Sequence, residues 1–343
     1  MKLGIIGLPD SGKSTVFEAL TQKAASGPKG ETCIGTVRVP DKRLDVLNEM
    51  YQRQKKIFAQ VEYLLPGPAG HTRPGDQDPQ SWNLVRDCDA LIHVIRNFKV
   101  YGFEDPTPRE DFHKLDQELI LADLVVVEKR LERLELDQKR GKKIEAEELS
   151  LLEECRLKLE SEIPLRKIDD LATDQHLRGY AFLSAKPVLV LFNNEDEVDA
   201  LPDAAELTSR ENCLVIRGKL EQELAQMSAE EADEFLSEFN ITASAMDRVI
   251  KRSHELLGLI TFFTIGDKEV RAWTIEQGTS AIDAAEVIHT DMKKGFIRAE
   301  VLSYADLIEA GSYQAAKKKG TVRLESKIYE VKDGDIVYIR FNV

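Results

Sequence analysis

Cysteine is scarce. The 343-residue chain has four, Cys33, Cys88, Cys155 and Cys213, and no CxxC pair. Such spacing excludes a disulfide framework and a cysteine-built zinc site, and a reducing cytoplasm is the expected setting. Long apolar runs are missing too. No stretch approaches the roughly 18 residues of a membrane span. The apolar start of MKLGIIGLPD meets Pro9 and Asp10 too soon to form the core of a signal peptide. Positive charge is in deficit, with 47 Lys and Arg against 61 Asp and Glu, a formal net charge of −14. That balance excludes a generic polyanion binder wrapped in basic surface. Neither a membrane nor sequence-specific DNA is an expected partner. The deficit is uneven. Residues 203–238 hold ten acidic against three basic residues, and residues 257–343 hold thirteen against twelve. Any contact with nucleic acid must therefore use local basic patches.

The apolar material is ample, at 42 % hydrophobic and 31 % charged residues, and the length suits two or three domains. The pattern Gly-x-x-x-x-Gly-Lys-Ser is complete at Gly7, Gly12, Lys13 and Ser14. Glycines let backbone N–H groups turn inward around phosphate oxygens. A lysine there reaches the β- and γ-phosphates, and the serine hydroxyl ligates Mg²⁺. The flanks have the required order. KLGIIG reads as a buried strand and KSTVFEALTQ as a helix with Val16, Phe17 and Leu20 on one side, its N-terminus turned toward the phosphates. The expected triphosphate contacts are Gly7, Leu8, Pro9, Asp10, Ser11, Gly12, Lys13, Ser14 and Thr15. Lys13 is the expected catalytic group and Ser14 the metal ligand.

DALIHVIRNF (89–98) and KPVLVLFNNEDE (186–197) read as central parallel strands. The second ends at Asn193, where ligands sit in open α/β sheets. His93, inside the first, is expected to be a core histidine rather than a catalyst. Between these strands Ile120, Leu124, Val127, Leu131 and Leu134 recur at spacings of four and three, a coiled-coil-like seam. KRGKK (139–143) interrupts it, and Leu149, Leu152, Cys155 and Leu159 resume it until Pro164. An antiparallel helical hairpin is expected, its tip carrying Lys139, Arg140, Lys142 and Lys143. Two readings of the tip stand: a solvated turn, or a contact with RNA phosphate.

From about Leu257 the period changes to two. TFFTIG and EVRAWTI read as strands joined at Gly266-Asp267, and TSAIDAAEVIHTDM as a helix capped by Thr279 or Ser280. IYEVKDGDIVYIRFNV reads as two strands around Asp333-Gly334-Asp335, with Val337, Ile339, Phe341 and Val343 on one face of the last. A small β-grasp domain without a catalytic constellation is expected, and so a binding module.

These pieces together resemble the YchF family of Obg-like ATPases, P-loop proteins of the translation-factor class, over nearly the whole chain. GLPDSGKST looks like the family's phosphate loop, VPDKRLDVL like the segment after switch I, and ELILADLVVVEKRLERLE like its helical arm. The stretch from LGLITFFTIG to VLSY, with GDIVYIRFNV, looks like its TGS domain. The resemblance implies four segments. Residues 1–115 and 177–256 would form an α/β nucleotide-binding domain. Residues 116–176 would form an inserted helical hairpin, and 257–343 a TGS-like β-grasp domain. It further implies Mg²⁺-dependent binding of ATP, often with GTP tolerated, slow hydrolysis, and association with the ribosome or ribosomal RNA through the helical tip and the TGS-like domain.

The departures fall where hydrolysis is controlled. The family's Asp-x-x-Gly motif aligns with VEYLLPGPAG, placing Leu65 at the Asp and Pro68 at the Gly. Leucine offers no oxygen and proline no N–H. Switch I is reduced to SGPKGETCIG, in which Thr32 is the one threonine. The family's catalytic histidine is absent from KVYGFEDPTPRED; His113 comes late and His71 is remote. For base selection, guanine readers use Asn-Lys-x-Asp. Here Asn193-Asn194-Glu195-Asp196 places Asp196 in strict register without the lysine, and a one-residue shift restores the glutamate usual in the family. ATP and GTP both stand. So does a second reading, a nucleotide-binding scaffold or ribosome-binding adaptor without efficient hydrolysis.

Overall fold

The computed structural model describes residues 2–25, 32–67, 79–238 and 244–342. In chain order its strands are β1 (Lys2–Ile6), β2 (Cys33–Arg38), β3 (Lys55–Ile57), β4 (Gln60–Leu65), β5 (Ala90–Asn97), β6 (Val188–Asn194) and β7 (Asn212–Ile216). There follow β8 (Leu259–Ile265), β9 (Glu269–Glu276), β10 (Phe296–Ser303), β11 (Arg323–Glu325) and β12 (Asp335–Phe341). The chain divides into two units, residues 1–36 with 62–249, and residues 37–61 with 250–343.

The first unit is built on a sheet of order β2-β4-β1-β5-β6-β7. β1 pairs in parallel with β4 on one side and β5 on the other, and β5, β6 and β7 continue in parallel. β6 is buried along its whole length. That explains its unbroken apolar run, because helices cover both faces of a parallel sheet. The strand order reverses at β1, so the crevice for a ligand opens beyond its C-terminal end, at Gly7. Helix α1 (Lys13–Thr21) follows at once and buries Val16, Phe17 and Leu20.

Two antiparallel helices form the arm. Counting helices in chain order, α2 is Lys42–Tyr51, α3 Pro79–Arg86, α4 Pro108–Lys139 and α5 Ala146–Glu160. The 32 residues of α4 span about 48 Å at 1.5 Å per residue. Its start lies ahead of the expected 116 because Pro108 takes the first-turn position, where a missing N–H costs nothing. Ile120, Val127, Leu131 and Leu134 meet Leu152, Cys155 and Leu159 in one core, and Gly141 turns the chain at φ +75°. The arm is held at its base by a buried carboxylate. Asp123 accepts from Arg86 Nη1 (2.8 Å) and from the backbone N–H groups of Leu183 (3.0 Å) and Ser184 (2.7 Å).

The second unit carries the order β11-β10-β12-β8-β9-β3. The β8–β9 and β10–β12 pairs are antiparallel, and β12 runs parallel to β8, the mixed arrangement of a β-grasp fold. Two sequence expectations change here, and one alternative is decided. Residues 37–61 belong to this unit rather than to the nucleotide-binding domain, since β3 extends the sheet in parallel beside β9. Arg43 completes that attachment, donating to Asp41 (2.8 Å) and Asp333 (2.6 Å) while lying over the Phe263 ring. The segment before Asp333 is not a strand. Its backbone is spent on a helix entrance, with Ala281 N–H donating to Tyr329 O and Val331 N–H to Thr279 O. Ser280, not Thr279, caps that helix, its hydroxyl accepting from Asp283 N–H. On β12, Val337 is buried and Ile339 packs at the core's edge, while Phe341 is 37 % exposed; Val343 lies outside the described residues.

Replacing Asp123 by alanine strands Arg86 and two buried N–H groups. It is expected to cost about 3–5 kcal/mol, read as a lowered urea midpoint. Leu121→Ala, on the exposed side of the same helix, should leave the midpoint within about 0.5 kcal/mol.

Candidate functional site

The loop from Gly7 to Gly12 is shaped by what surrounds it. A Cβ on Gly7 would lie 2.5 Å from Val94 O and 2.7 Å from Ser11 Oγ. Gly12 has φ +93° and caps α1, and a Cβ there would collide with the Asn193 amide nitrogen. Both positions therefore exclude a side chain, one by close approach and the other by conformation as well. Asp10 also takes a left-handed turn, φ +60°, and stands exposed beside Pro9 at the crest. Leu8 is half-buried. Ser11 is buried, and its hydroxyl has no hydrogen-bond partner among the described residues.

Lys13 folds back over this loop. Its ammonium donates to Gly7 O (2.8 Å) and Leu8 O (2.6 Å). Burial pulls its pKa down to about 8, against the opposing pull of Asp10. Ser14 is exposed and Thr15 half-buried, on the first turn of α1.

From the far side β6 delivers Asn193. Its amide donates to Ser11 O (3.2 Å) and accepts from Gly218 N–H (2.9 Å). One side chain thus ties the loop to the start of the helix Gly218–Leu224. Asn194, the next residue of the strand, points elsewhere. It accepts from Asn97 Nδ2 (2.8 Å) and donates to Val198 O (3.0 Å) and Ala200 O (2.8 Å), so it braces the connection after β6 and does not reach the loop. Asp196 accepts from Leu220 N–H (3.3 Å), and Glu195 from Lys99 N–H (3.0 Å).

The residues of the departed motifs fall as follows. Leu65 ends β4 and is buried. Pro68 and His71 lie outside the described residues. His93 stacks on Phe112 (centroids 5.4 Å apart) within the core. Burial first, then Arg166 and Lys13, push its pKa to about 3, which keeps the imidazole neutral. His113 is exposed on α4. Sequence reasoning missed Gly218 and Asn97. The signal for Gly218 was a glycine placed directly between an apolar run, CLVI, and a helical one.

A parallel sheet, a glycine-shaped loop at its point of strand reversal, and a helix begun by Lys13 define a P-loop nucleotide-binding fold. The comparisons narrow this. The chain is 37 % identical over 366 residues to the ribosome-binding ATPase YchF of Bacillus subtilis (strain 168), covering 99 % of each. It is 36 % identical over 363 residues to that of Escherichia coli O157:H7, covering 100 % of this chain and 99 % of the other. The family model YchF-GTPase_C, described as "Protein of unknown function (DUF933)", matches residues 259–342. The solved Schizosaccharomyces pombe YchF GTPase superposes with a TM-score of 0.85 at 29 % identity, over 99 % of this chain and 97 % of that one. A GTP binding protein from Pyrococcus horikoshii OT3 shares the fold at a TM-score of 0.61 and 19 % identity, over the full length of both. The chain belongs to the YchF family.

Truncating Asn193 to alanine leaves Ser11 O and Gly218 N–H buried without a partner. A loss of about 2–3 kcal/mol is expected, measured by urea denaturation with Asn194→Ala as the companion variant, whose loss should be confined to the connection it braces.

Proposed function

We propose that this protein binds ATP with Mg²⁺ at Gly7–Thr15, turns it over slowly, and associates with the ribosome. The single observation that carries the reading is the loop itself, with Gly12 in a left-handed cap and Lys13 poised over it. Backbone N–H groups at the start of α1 take the phosphate oxygens, and the helix dipole favours their charge. The Lys13 ammonium exchanges the Gly7 and Leu8 carbonyls for the β- and γ-phosphates. Asn193 keeps the loop from relaxing when that exchange occurs.

Mg²⁺ would be held by Ser14, whose hydroxyl is exposed at the first turn of α1. The end of β4 adds no oxygen ligand from a side chain, because Leu65 is apolar there. The ion would neutralise charge between the phosphates. Asp196 accepts from Leu220 N–H and keeps acceptor capacity for a base, so the preference for ATP over GTP rests on the bacterial relatives being named ATPases. ATPase and ribosome-binding activities are those named for the bacterial relatives, and GTPase for the yeast one.

Slow turnover rests on what the described residues do not place near the loop. His93 is buried and neutral, and His113 stands on the arm. Positioning and charge neutralisation by Lys13, Ser14 and the loop amides remain. The buried Leu65 also favours a second reading, a scaffold whose bound state ignores the γ-phosphate. Equal affinities for ATP and ADP would establish it. For the ribosome, the exposed tip is the proposed contact; only Lys142 there has a carboxylate partner among the described residues, Asp137.

Lys13→Ala should weaken ATP binding by at least about tenfold, ~1.4 kcal/mol, by calorimetric titration; unchanged affinity would overturn the site. The bound form carries the ammonium, and the free protein loses that proton as pH passes about 8. ATP affinity should therefore fall above pH 8, by up to about tenfold per unit, while Lys13→Ala shows no such slope. Neutralising Lys139, Arg140, Lys142 and Lys143 together should reduce co-sedimentation with ribosomes, most at low salt, and flatten its salt dependence. Undiminished co-sedimentation would make the tip a solvated turn.

A further inference from the structure

The second unit holds a cavity of about 510 Å³ that the P-loop reading leaves unused. Its size falls in the range of small-molecule sites, roughly 300–1,000 Å³. Tyr51 at the end of α2 lines it, with Tyr313 and Gln314 on the helix Tyr313–Lys319, Tyr338 and Arg340 on β12, and Glu300 on β10. The Tyr313 and Tyr338 rings meet edge to face, centroids 5.1 Å apart at 61°.

The charges decide what such a cavity accepts. Its one carboxylate is spent within the protein: Tyr313 Oη–H donates to one oxygen of Glu300, and Arg340 to the other. That pairing orients the Tyr313 ring and cancels the charge of Arg340. An aromatic cage for an alkylammonium needs a free acid or at least no nearby cation. Here Arg53 lies over the Tyr51 ring (5.9 Å) and close enough to act on the Tyr338 phenol, and its Nε has no hydrogen-bond partner among the described residues. Lys317 stands exposed one turn on from Tyr313 and Gln314, so it shares their side of the helix. Neither Arg53 nor Lys317 has an ion-pair partner among the described residues. Cationic ligands are repelled, and a neutral apolar one leaves these cations unused. The fitting ligand is flat, aromatic, able to hydrogen-bond at its edge, and negatively charged beside the ring.

We propose that this cavity takes one unstacked nucleobase with its phosphate. The base lies against Tyr313 and Tyr338, its edge meets the Gln314 amide, which offers both donors and an acceptor, and the phosphate meets Arg53 and Lys317. Aromatic stacking is tolerant of base identity, so the site selects an unpaired nucleotide rather than a sequence. It rests on the RNA-partner reading only for the source of the base, which single-stranded RNA supplies; a free nucleotide has the same chemistry.

The test uses the full chain carrying Lys13→Ala, which weakens the P-loop as a competing site, and the Tyr338 variants, which leave the P-loop untouched, distinguish the two sites. Binding of a fluorescent oligoadenylate and of AMP is measured in this background and with Tyr338→Leu, Tyr338→Phe and Arg53→Gln added. Tyr338→Leu should weaken binding about tenfold or more. Tyr338→Phe keeps the ring and should retain binding, which separates loss of stacking from loss of fold. Arg53→Gln should weaken binding and flatten its salt dependence. A 4-thiouridine oligonucleotide should crosslink to the Tyr313 and Tyr338 peptides. AMP bound as tightly as the oligonucleotide, and lost in Tyr338→Leu, upholds the site with a free nucleotide as its ligand, even if ribosome association fails. Oligonucleotide binding that survives Tyr338→Leu and Arg53→Gln but is lost on neutralising the arm tip overturns the site and leaves the RNA-partner reading intact. Binding of neither probe overturns it outright.

Discussion

One buried amide sets the terms for the whole site. Asn193 reaches across 182 positions of chain to Ser11 O and 25 positions to Gly218 N–H. It has no room to spare on either side: a Cβ at Gly12 would collide with it, and one at Gly218 would lie 2.6 Å from its oxygen. Two glycines are therefore required by one asparagine. Gly12, freed of a side chain, takes the left-handed turn that starts α1, and the direction of that helix fixes where its first N–H groups point. The position of β6 in the sheet, the shape of the loop and the aim of the helix are a single constraint read at three places.

Electrostatics around the loop follow from the same enclosure. Lys13 is buried enough to lose much of its proton affinity, and two carbonyls of its own loop hold it in place. The loop thus holds a cation against its own backbone. β4, paired beside β1, ends in the buried Leu65. Binding and response to the γ-phosphate are usually coupled through a residue at that strand end. Here that strand end carries the buried, apolar Leu65. The arm shows a division along its length: its base is pinned by the fully buried Asp123, and its far end carries four exposed cations.

Much of this was legible in the sequence where burial imposes a period. The unbroken apolar runs of β5 and β6, the four-three spacing of α4, and the glycines of the loop each have a packing cause visible in the residue order. Leu65 could be placed by alignment to the family pattern and does end its strand. What could not be read has no period. β3 is three residues, Lys55 to Ile57, held by backbone pairing with β9, and two of its side chains are exposed lysines. Tyr329 to Val331 alternate like a strand, yet their hydrogen bonds go to the entrance of a helix. Asn194 was grouped with Asn193 by adjacency, but successive residues of a strand face opposite ways. Gly218 gains its meaning only from an amide 25 residues earlier.

The placement of residues 37–61 has a consequence for inheritance. The chain passes from one unit to the other three times, near residues 36, 61 and 249, so the C-terminal module is not a bead on a string. A gene truncated before β8 would still encode α2 and β3, with Arg43 lacking Asp333 and Phe263 and an unpaired edge strand left without its sheet. Conversely, residues 250–343 transplanted alone would lack β3 and the Arg43 anchor of that sheet. A break near 249 leaves the first unit whole but splits the second, a break near 36 does the reverse, and a break near 61 divides both. No single break in the chain therefore separates the two units cleanly.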